Sequence, residues 1–187
     1  LFRSQDYPKQ QLEVLFVDGM SKDGTRDIVN NYSKQYPFIR LLNNEKRIVP
    51  VAMNIGIKAS IGDIVMRLDA HAQYPPNYFS VLVKELVRLR ADNVGVACKT
   101  DVLNKTSKTL AIREVLSNRF GVGNSTFRLG VDKVIEVDTV PFGCWKKDVF
   151  NKYGFYDERL IRNQDIELNK RIVRGGGHIF IVPDTYC

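Results

Sequence analysis

Compact apolar runs alternate along this chain with segments in which apolar residues recur at helical spacing. Residues 12–18 (LEVLFVD) and 63–69 (DIVMRLD) are apolar runs that each end in an aspartate, and they predict buried strands. Residues 77–92 (NYFSVLVKELVRLRAD) instead predict a helix with one buried face. The apolar positions of that face are Phe79, Leu82, Val83, Leu86 and Leu89. Strands that alternate with helices predict an α/β protein with parallel strands at the centre of its sheet.

Shorter patterns complete the predicted order of elements. Further helices are predicted at 24–36, 50–60 and 164–176, and further strands at 39–44, 94–100, 133–140 and 178–183. Pro50 stands at the first turn of its helix, where a missing backbone N–H costs nothing. Residues 121–130 (GVGNSTFRLG) predict a glycine-rich loop. Because the chain opens on what resembles the end of a helix, we expect one βα unit of about 30 residues to precede it.

The composition is that of an ordinary globular domain. Hydrophobic residues make up 44% and charged residues 26% of 187 residues, enough for one domain with a sizeable core. No apolar run approaches the ~20 residues that cross a bilayer, so the pattern predicts a soluble chain. Three widely separated cysteines without a CxxC pair predict free thiols in a reducing compartment, with Cys98 buried in a strand.

The net charge of +7 is compatible with nucleic acid, an anionic membrane surface or phosphorylated substrates as partners. The basic residues are scattered, and no continuous basic patch with interleaved aromatic residues is visible. We therefore interpret the charge first as a source of solubility and predict no nucleic-acid partner.

Acidic residues end two of the predicted strands, at the edge where open α/β sheets bind ligands. Asp18 ends the first strand and needs a partner for its charge, whereas Ser21 and Asp23 in the following turn are candidates to cap a helix. Asp69 and His71 lie two positions apart, so in an extended chain their side chains project to the same side. Carboxylate and imidazole can together bind Mn²⁺ or a similar ion, and imidazole suits Mg²⁺ less well. A satisfied surface pair is the alternative interpretation.

A third group of polar residues opens the predicted helix at 164–176. Asn163 is placed to cap this helix, and Asp165 to interact with its positive end. Alternatively, Asp165 is a general base whose ionised form the helix start stabilises. Trp145 could stack on a sugar or lie in the core.

In this order the segments resemble the family 2 glycosyltransferases, inverting enzymes with the GT-A fold. The similar segments are QDYPKQQLEVLFVDGMSKDGT, AMNIGIKASIGDIVMRLDAHA, VPFGCWKKDVFNKYGFYDERL and NQD, so the resemblance extends from about Gln5 to Val182. RLDAHAQYP, GVGNSTFRLG and RNQDIELNKRI are most similar to ExoA-type enzymes of succinoglycan and related exopolysaccharide synthesis.

The resemblance implies a fold and a division of the chain. The fold is a Rossmann-like mixed sheet with helices on both faces, the GT-A fold of nucleotide-diphospho-sugar transferases, here without its first βα unit. Residues 1–187 would form a single domain that continues beyond both ends. Its nucleotide-binding half would be about 1–72 and its acceptor-binding half about 73–187.

The resemblance also implies roles at a donor site. Asp69 and His71 would hold a divalent cation, Mn²⁺ in preference to Mg²⁺, against the diphosphate of a UDP-sugar. Asp18, Arg47 and Asp69 would contact the donor nucleotide.

A second set of implied roles concerns the acceptor. Asp165 would deprotonate the acceptor hydroxyl, and Trp145, Asn163 and Gln164 would contact the acceptor. Two positions depart from the family pattern. Gly19 stands where many members have a second acid, and Gln164 replaces the first acid of the catalytic motif.

Together these features predict a metal-dependent inverting glycosyltransferase of exopolysaccharide or cell-envelope glycan synthesis. The acceptor would be a lipid-linked saccharide, met at the inner face of the cytoplasmic membrane through peripheral contact. A sugar nucleotidyltransferase on a similar sheet, which would yield pyrophosphate rather than UDP, is one alternative. A non-catalytic glycosyltransferase-like binding module is the other.

Overall fold

The computed structural model describes residues 2–102, 104–123 and 125–187, and strands alternate with helices through most of them. The strands are β1 (Val14–Asp18), β2 (Ile39–Asn43), β3 (Ile64–Met66), β4 (Asn93–Ala97), β5 (Ile135–Glu136), β6 (Cys144–Lys146) and β7 (Ile179–Tyr186). The helices are α1 (Thr25–Gln35), α2 (Val49–Ala59), α3 (Tyr78–Arg88), α4 (Ser107–Ser117), α5 (Arg119–Val122), α6 (Thr126–Leu129), α7 (Asp148–Tyr153) and α8 (Gln164–Arg174). Single 3₁₀ turns at Phe2–Ser4 and Lys9–Gln11 precede β1.

The chain forms two compact units that interleave along the sequence. Unit 1 comprises the segment that ends at Asp6, Met66–Trp145 and Gly177–Cys187. Unit 2 comprises Tyr7–Val65 and Lys146–Gly176. The chain therefore passes from unit 2 to unit 1 within β3 and returns within β6. The assignment of 1–72 and 73–187 to nucleotide and acceptor stays a prediction.

The five-stranded sheet has the order β3-β6-β4-β7-β5, and its strands β4, β5 and β7 lie wholly in unit 1. Its strands β4 and β7 are parallel, whereas β6 on β4 and β5 on β7 are antiparallel, so the sheet is mixed. Helix α3 buries Phe79, Leu82 and Leu86 and contacts β4 and β7, which confirms its predicted apolar face. It ends at Arg88 because Arg90 adopts a left-handed conformation (φ 52°) and the Ala91 N–H donates to the Leu86 carbonyl.

Unit 2 is built around the parallel pair β1–β2, in register from Val14 opposite Ile39 to Asp18 opposite Asn43. Helix α2 packs closely on β1, because a Cβ on Gly56 would lie only 3.3 Å from Cγ2 of Val17. Pro50 lies in the first turn of α2, as predicted.

Several boundaries differ from the sequence prediction. Strand β3 ends at Met66, three residues before Asp69, and the Arg67 N–H then donates to the Gly143 carbonyl. Residues 121–130 include parts of α5 and all of α6 instead of loop alone; residue 124 of that predicted loop lies outside the described residues. Helices α4 and α7 and strand β6 were not predicted.

The cysteines and the helices bear on two further predictions. All three cysteines are free, but Cys98 is only half-buried, and its Sγ lies 2.9 Å from Sγ of Cys187. Throughout the described parts of the chain, no helix combines the length and the apolar character needed to span a membrane.

Candidate functional site

Asp18 lies in unit 2 at the carboxyl edge of the β1–β2 pair. Its Oδ2 accepts hydrogen bonds from the Ser21 N–H at 2.9 Å and from Arg26 Nη1 at 2.8 Å. Burial raises the pKa of Asp18, but the bonds from Ser21 and the Arg26 guanidinium outweigh it and lower the pKa to about 2. Arg26 is therefore the partner that the charge at this strand end requires.

The helix after Asp18 is capped differently from the prediction. Gly24 occupies the cap position of α1 with φ 87° and has no side chain to bond. Asp23 Oδ1 instead accepts from the Thr25 N–H at 3.1 Å, one residue inside the helix. Ser21 binds Asp18 through its backbone, so neither residue sits at the cap position itself.

Arg47 lies beside the same edge. The Asn44 N–H donates to the Asp18 carbonyl at 2.8 Å, and the Arg47 N–H donates to Asn44 Oδ1 at 3.1 Å. A Cβ on Gly19 would lie 3.8 Å from the Cα of Arg47, so the two backbones are neighbours. The edge thus offers one ionised carboxylate, the exposed Arg47 and the partly exposed Arg26. Such a set suits a ligand that carries both hydroxyl and phosphate groups.

Asp69 lies in unit 1 shortly after β3 and is held by an arginine fork. Arg67 Nε donates to Asp69 Oδ1 at 2.8 Å, and Arg67 Nη2 donates to Oδ2 at 3.1 Å. The guanidinium also lies 5.7 Å from the centre of the Phe142 ring. The Asp69 N–H donates to the Tyr74 hydroxyl at 2.9 Å, and burial raises the pKa of Tyr74 to about 12. Asp69 is therefore fixed through both its side chain and its backbone.

His71 does not continue an extended strand. Residues 70 and 71 form a turn, in which the Ala72 N–H donates to the Asp69 carbonyl at 3.2 Å. The prediction that Asp69 and His71 project to one side of extended chain is therefore wrong in its geometry. His71 is exposed to solvent and lies in the turn that Asp69 begins.

The residues around Asp69 fit a metal ion that is shared with a ligand. Among residues 2–102, 104–123 and 125–187, no three or more His, Cys, Asp or Glu side chains are grouped to hold a metal. Asp69 and His71 could therefore supply only two ligands. A carboxylate has about four lone-pair sites, and Arg67 uses two, so Asp69 keeps capacity for a cation. Phosphate oxygens and water would complete such a coordination shell, as is usual for nucleotide-bound Mg²⁺.

The start of α8 in unit 2 carries the predicted acceptor residues. Asn163 occupies the cap position with φ 60°, but its side chain makes no capping hydrogen bond. Gln164 is 8% exposed, and its Oε1 has no hydrogen-bond partner. Asp165 lies half-buried in the first helical turn. A buried amide oxygen without a partner and a carboxylate thus share one helix start.

Trp145 lies in the core of unit 1. Its side chain is 2% exposed, and a Cβ on Gly143 would lie 2.5 Å from its Cζ2. This burial argues against the predicted stacking of Trp145 on an acceptor sugar, because the ring offers no free face. The core position, the other interpretation of Trp145, matches the structure.

The structure groups the candidates within each unit. Unit 2 contains Asp18, Arg47, Asn163, Gln164 and Asp165, and unit 1 contains Asp69, His71 and Trp145. Sequence reasoning missed Arg26 and Arg67, although each had a signal. Arg67 lies two residues before Asp69, and Arg26 lies in the first turn of the helix that follows Asp18.

Solved structures with a similar backbone define the class of fold. The chain aligns over 100% of its length with 52% of S. aureus TarS in complex with UDP-GlcNAc, at a TM-score of 0.72 and 16% identity. It likewise covers 50% of the mannosyltransferase PcManGT from Pyrobaculum calidifontis in complex with GDP-Man and Mn²⁺, at a TM-score of 0.70 and 21% identity. At these identities the likeness shows the fold alone. The fold is the GT-A fold of glycosyltransferases, which confirms the predicted class.

Sequence comparison identifies the family within that class. The model of Glycosyl transferase family 2 matches residues 2–154. The succinoglycan biosynthesis protein ExoA of Rhizobium meliloti is 31% identical in an alignment that covers 92% of this chain and 52% of that protein. A dolichyl N-acetyl-alpha-D-glucosaminyl phosphate 3-beta-D-2,3-diacetamido-2,3-dideoxy-beta-D-glucuronosyltransferase of Methanococcus voltae is 27% identical over 97% of this chain and 58% of its own length. The chain belongs to glycosyl transferase family 2, and it spans about half the length of these relatives.

Proposed function

We propose that the protein is a metal-dependent inverting glycosyltransferase that moves a sugar from a UDP-sugar to a lipid-linked saccharide. The observation that carries this proposal is Asp69, an acid after a strand of a GT-A sheet, oriented by the Arg67 fork and followed by an exposed His71. Family membership supports the reaction class, and the bound UDP and UDP-GlcNAc of the TarS structures support the donor class.

In unit 2, Asp18 and Arg47 would contact the donor nucleotide. The ionised Asp18 accepts hydrogen bonds, so it suits the hydroxyl groups of a ribose or the N–H of a uracil. Arg47 is exposed and suits a phosphate, for which a guanidinium has matching geometry. Arg26 orients Asp18 for this contact.

Asp69 and His71 would hold the divalent cation. When bound, the cation stabilises the negative charge that develops on the departing diphosphate. The imidazole of His71 favours Mn²⁺ over Mg²⁺. The Mn²⁺ in the structures of PcManGT and of GalNAc-T7 with UDP and GalNAc supports this choice.

Asp165 would be the general base. Its carboxylate takes the proton of the acceptor hydroxyl, whose oxygen then forms a bond to the anomeric carbon from the face opposite the diphosphate. The bond from that carbon to the diphosphate oxygen breaks, and UDP leaves with the electron pair, so the configuration is inverted. Of the two residues before this base, Asn163 is exposed and could contact the acceptor directly, whereas the side chain of Gln164 is buried.

The names of the relatives and the net charge support the proposed acceptor class and location. ExoA is named for succinoglycan, and the Methanococcus voltae enzyme is named for a dolichyl phosphate acceptor. The net charge of +7 favours peripheral contact with an anionic inner membrane face. We therefore place the reaction in exopolysaccharide or cell-envelope glycan synthesis at that face.

One observation favours a second candidate function. Gln164 replaces the first acid of the family's catalytic motif, which leaves Asp165 as the single carboxylate at positions 163–165. A non-catalytic module that binds a nucleotide sugar would tolerate this change.

Calorimetric titration of UDP, with and without Mn²⁺, tests the donor site. We expect UDP to bind only with Mn²⁺, and His71→Ala to weaken it by about tenfold or more, as loss of a metal contact does. His178→Ala is the matched control, because His178 is also exposed in unit 1 and lies against Glu136. Equal affinity with and without Mn²⁺, or equal effects of the two variants, would contradict the metal site.

Release of UDP from a UDP-sugar in the presence of acceptor tests the reaction. Asp165→Asn should lower turnover by about 10²-fold or more and leave UDP binding unchanged. Asp148→Asn, at the start of α7 in the same unit, controls for loss of any helix-start carboxylate. UDP binding without turnover in the unaltered chain would instead support the non-catalytic module, and pyrophosphate as product would indicate a nucleotidyltransferase.

A further inference from the structure

Helices α4 to α6 in unit 1 leave apolar side chains in solvent. None of the three helices has a buried residue, whereas α3, of the same length as α4, has five. Ile112 is 48% exposed, Val115 55%, Leu129 41%, and Phe120 is fully exposed. We call these four side chains the apolar patch. Solvated apolar groups at this density typically mark an interaction surface.

The parts of the patch are connected to one another. Ile112 and Val115 lie three positions apart on α4 and so share one helix face. Helix α5, which carries Phe120, packs directly on this face, because a Cβ on Gly121 would lie 2.7 Å from Cγ1 of Val115. Helix α4 also contacts α6, which ends at Leu129. The apolar patch is therefore one feature of unit 1 and not a set of isolated side chains.

The same segment is strongly cationic. Between residues 104 and 130 the sequence has five basic residues and one acidic residue, Glu114. The basic residues are Lys105, Lys108, Arg113, Arg119 and Arg128. Lys105, Lys108 and Arg119 are exposed, and Lys108 lies four positions before Ile112 on the same face of α4. Exposed cations thus flank the apolar patch along the chain at α4 and α5.

We propose that α4–α6 is a membrane-contact surface that lies on an anionic lipid bilayer. Apolar side chains inserted among the lipid headgroups, with Lys and Arg on the headgroup phosphates, are the pattern of interfacial helices. A surface for single-stranded nucleic acid would use several aromatic rings on which bases stack, and the patch holds a single ring, Phe120. A surface for duplex nucleic acid would rest on cations and would not need exposed apolar side chains. The inference deepens the proposed function, since a lipid-linked acceptor is met at a membrane surface.

Vesicle flotation tests the surface without donor or acceptor. The 187-residue chain should float with vesicles of phosphatidylglycerol and phosphatidylcholine, float weakly with phosphatidylcholine alone, and dissociate in high salt. Replacing two apolar residues, Ile112→Ser with Phe120→Ser, should lower partitioning by about tenfold. Lys105→Glu with Lys108→Glu should lower it at least as much.

Matched controls separate this surface from general exposure and charge. Ile61→Ser removes an apolar side chain that is 83% exposed in unit 2, and Lys34→Glu with Lys84→Glu makes the same charge change on α1 and α3. These controls should bind vesicles like the unaltered chain, and all variants should keep the same melting temperature.

Three outcomes would overturn the proposal. The first is that the unaltered chain does not bind anionic vesicles. The second is that the patch variants and the control variants lose vesicle binding equally. The third is that light scattering shows the chain to self-associate through the apolar patch, so that the patch is covered by a second copy. UDP titration on the patch variants separates the two proposals. Patch variants that bind UDP normally but no longer float with vesicles would support the membrane surface. If the unaltered chain does not bind UDP, that result counts against the donor site alone.

Discussion

Asp18 and Asp69 each owe their orientation to an arginine close by in the sequence. Arg26, in the first turn of α1, forms an ion pair with Asp18, and Arg67 forms one with Asp69, two residues further along the chain. Both carboxylates are largely shielded from water, so a neighbouring cation offsets the cost of burying their charge. The two arginines therefore position the candidate donor residues.

The Asp18 carboxylate should stabilise the fold in a pH-dependent way. Asp18→Asn should lower the free energy of unfolding by about 2 kcal/mol at neutral pH, because the substitution removes the acceptor of a charge-assisted bond. The pKa of Asp18 in the folded state, about 2, lies below its ordinary value of 3.8. The difference between the two proteins should thus be complete above pH 3.8 and vanish as the pH falls through about 2.

Urea unfolding at several pH values would measure this difference. Asp27→Asn, a substitution in the first turn of α1, controls for the effect of a helix-start charge. A difference between Asp18→Asn and the unaltered chain that grows toward low pH would contradict the assigned sign.

Arg67→Lys should weaken the donor site while the fold remains intact. A lysine keeps the charge but cannot reproduce the two parallel bonds to Asp69, so the carboxylate loses its fixed orientation. We expect UDP affinity in the presence of Mn²⁺ to fall by about tenfold. Arg88→Lys, which alters an arginine–glutamate pair on α3, is the control. Equal affinity for both variants would show that Arg67 has no role in binding.

The thiol pair should make Cys98 the most reactive cysteine. The hydrogen bond from Cys187 lowers the pKa of Cys98, whereas burial raises the pKa of Cys144. Because the thiolate is the nucleophile, alkylation should reach Cys98 first, and it should reach Cys144 last because that residue is completely buried. Cys187→Ala should raise the midpoint of the pH–rate profile for alkylation of Cys98. Cys187→Ser should raise it less, because serine keeps a hydroxyl donor. A midpoint that neither substitution raises would contradict the pairing.

At the scale of elements, α2 is tied to the segment before α8 through Asn54. The buried Asn54 donates from Nδ2 to the Tyr156 carbonyl and accepts at Oδ1 from the Tyr156 N–H, both at 2.9 Å. Asn54→Ala should lower the free energy of unfolding by about 2–3 kcal/mol, since it removes both bonds and leaves buried groups unsatisfied. Asn30→Ala, on the exposed side of α1, should have little effect in the same denaturation experiment.

The elements that the sequence predicted are those with a buried apolar signal. Strand β4 and helix α3 have completely or partly buried faces, and their patterns were clear. Helix α4 escaped prediction because its residues have no buried face; only the Thr106–Thr109 capping box marks its start. Strand β3 was predicted too long, because Arg67 and Asp69 bond to each other after Met66.

The candidate site shows the same limit. Asp18 and Asp69 could be found because an acid after an apolar run is unusual. The spacing from Asp69 and the helix start pointed to His71 and Asp165, and the family resemblance added Arg47. The arginines that hold the two acids could not be singled out, since a pattern of residue types does not state which side chains meet. Trp145 could not be assigned to the core, because one aromatic residue has no periodicity.

At the scale of the whole molecule, the two units share the chain unequally. Unit 1 draws on three segments, and its first and last segments bring both ends of the chain into one unit. The buried Gln5 anchors the first segment: its Nε2 donates to the Pro75 carbonyl at 2.8 Å and its Oε1 accepts from the Phe79 N–H at 3.1 Å. Strand β7, in the last segment, lies between β4 and β5.

Because the two units interleave along the sequence, the position of a mutation does not by itself show which strands it affects. A stop codon near position 177 would remove the last segment of unit 1, and the lost strand β7 pairs with β4, which is encoded some eighty codons earlier. Alleles with such a lesion would resemble missense alleles in β4, so their effect would not identify the function of the deleted residues. Intrinsic fluorescence would report the damage in both kinds of allele, because Trp145 belongs to unit 1 and its emission would shift to the red when that core opens.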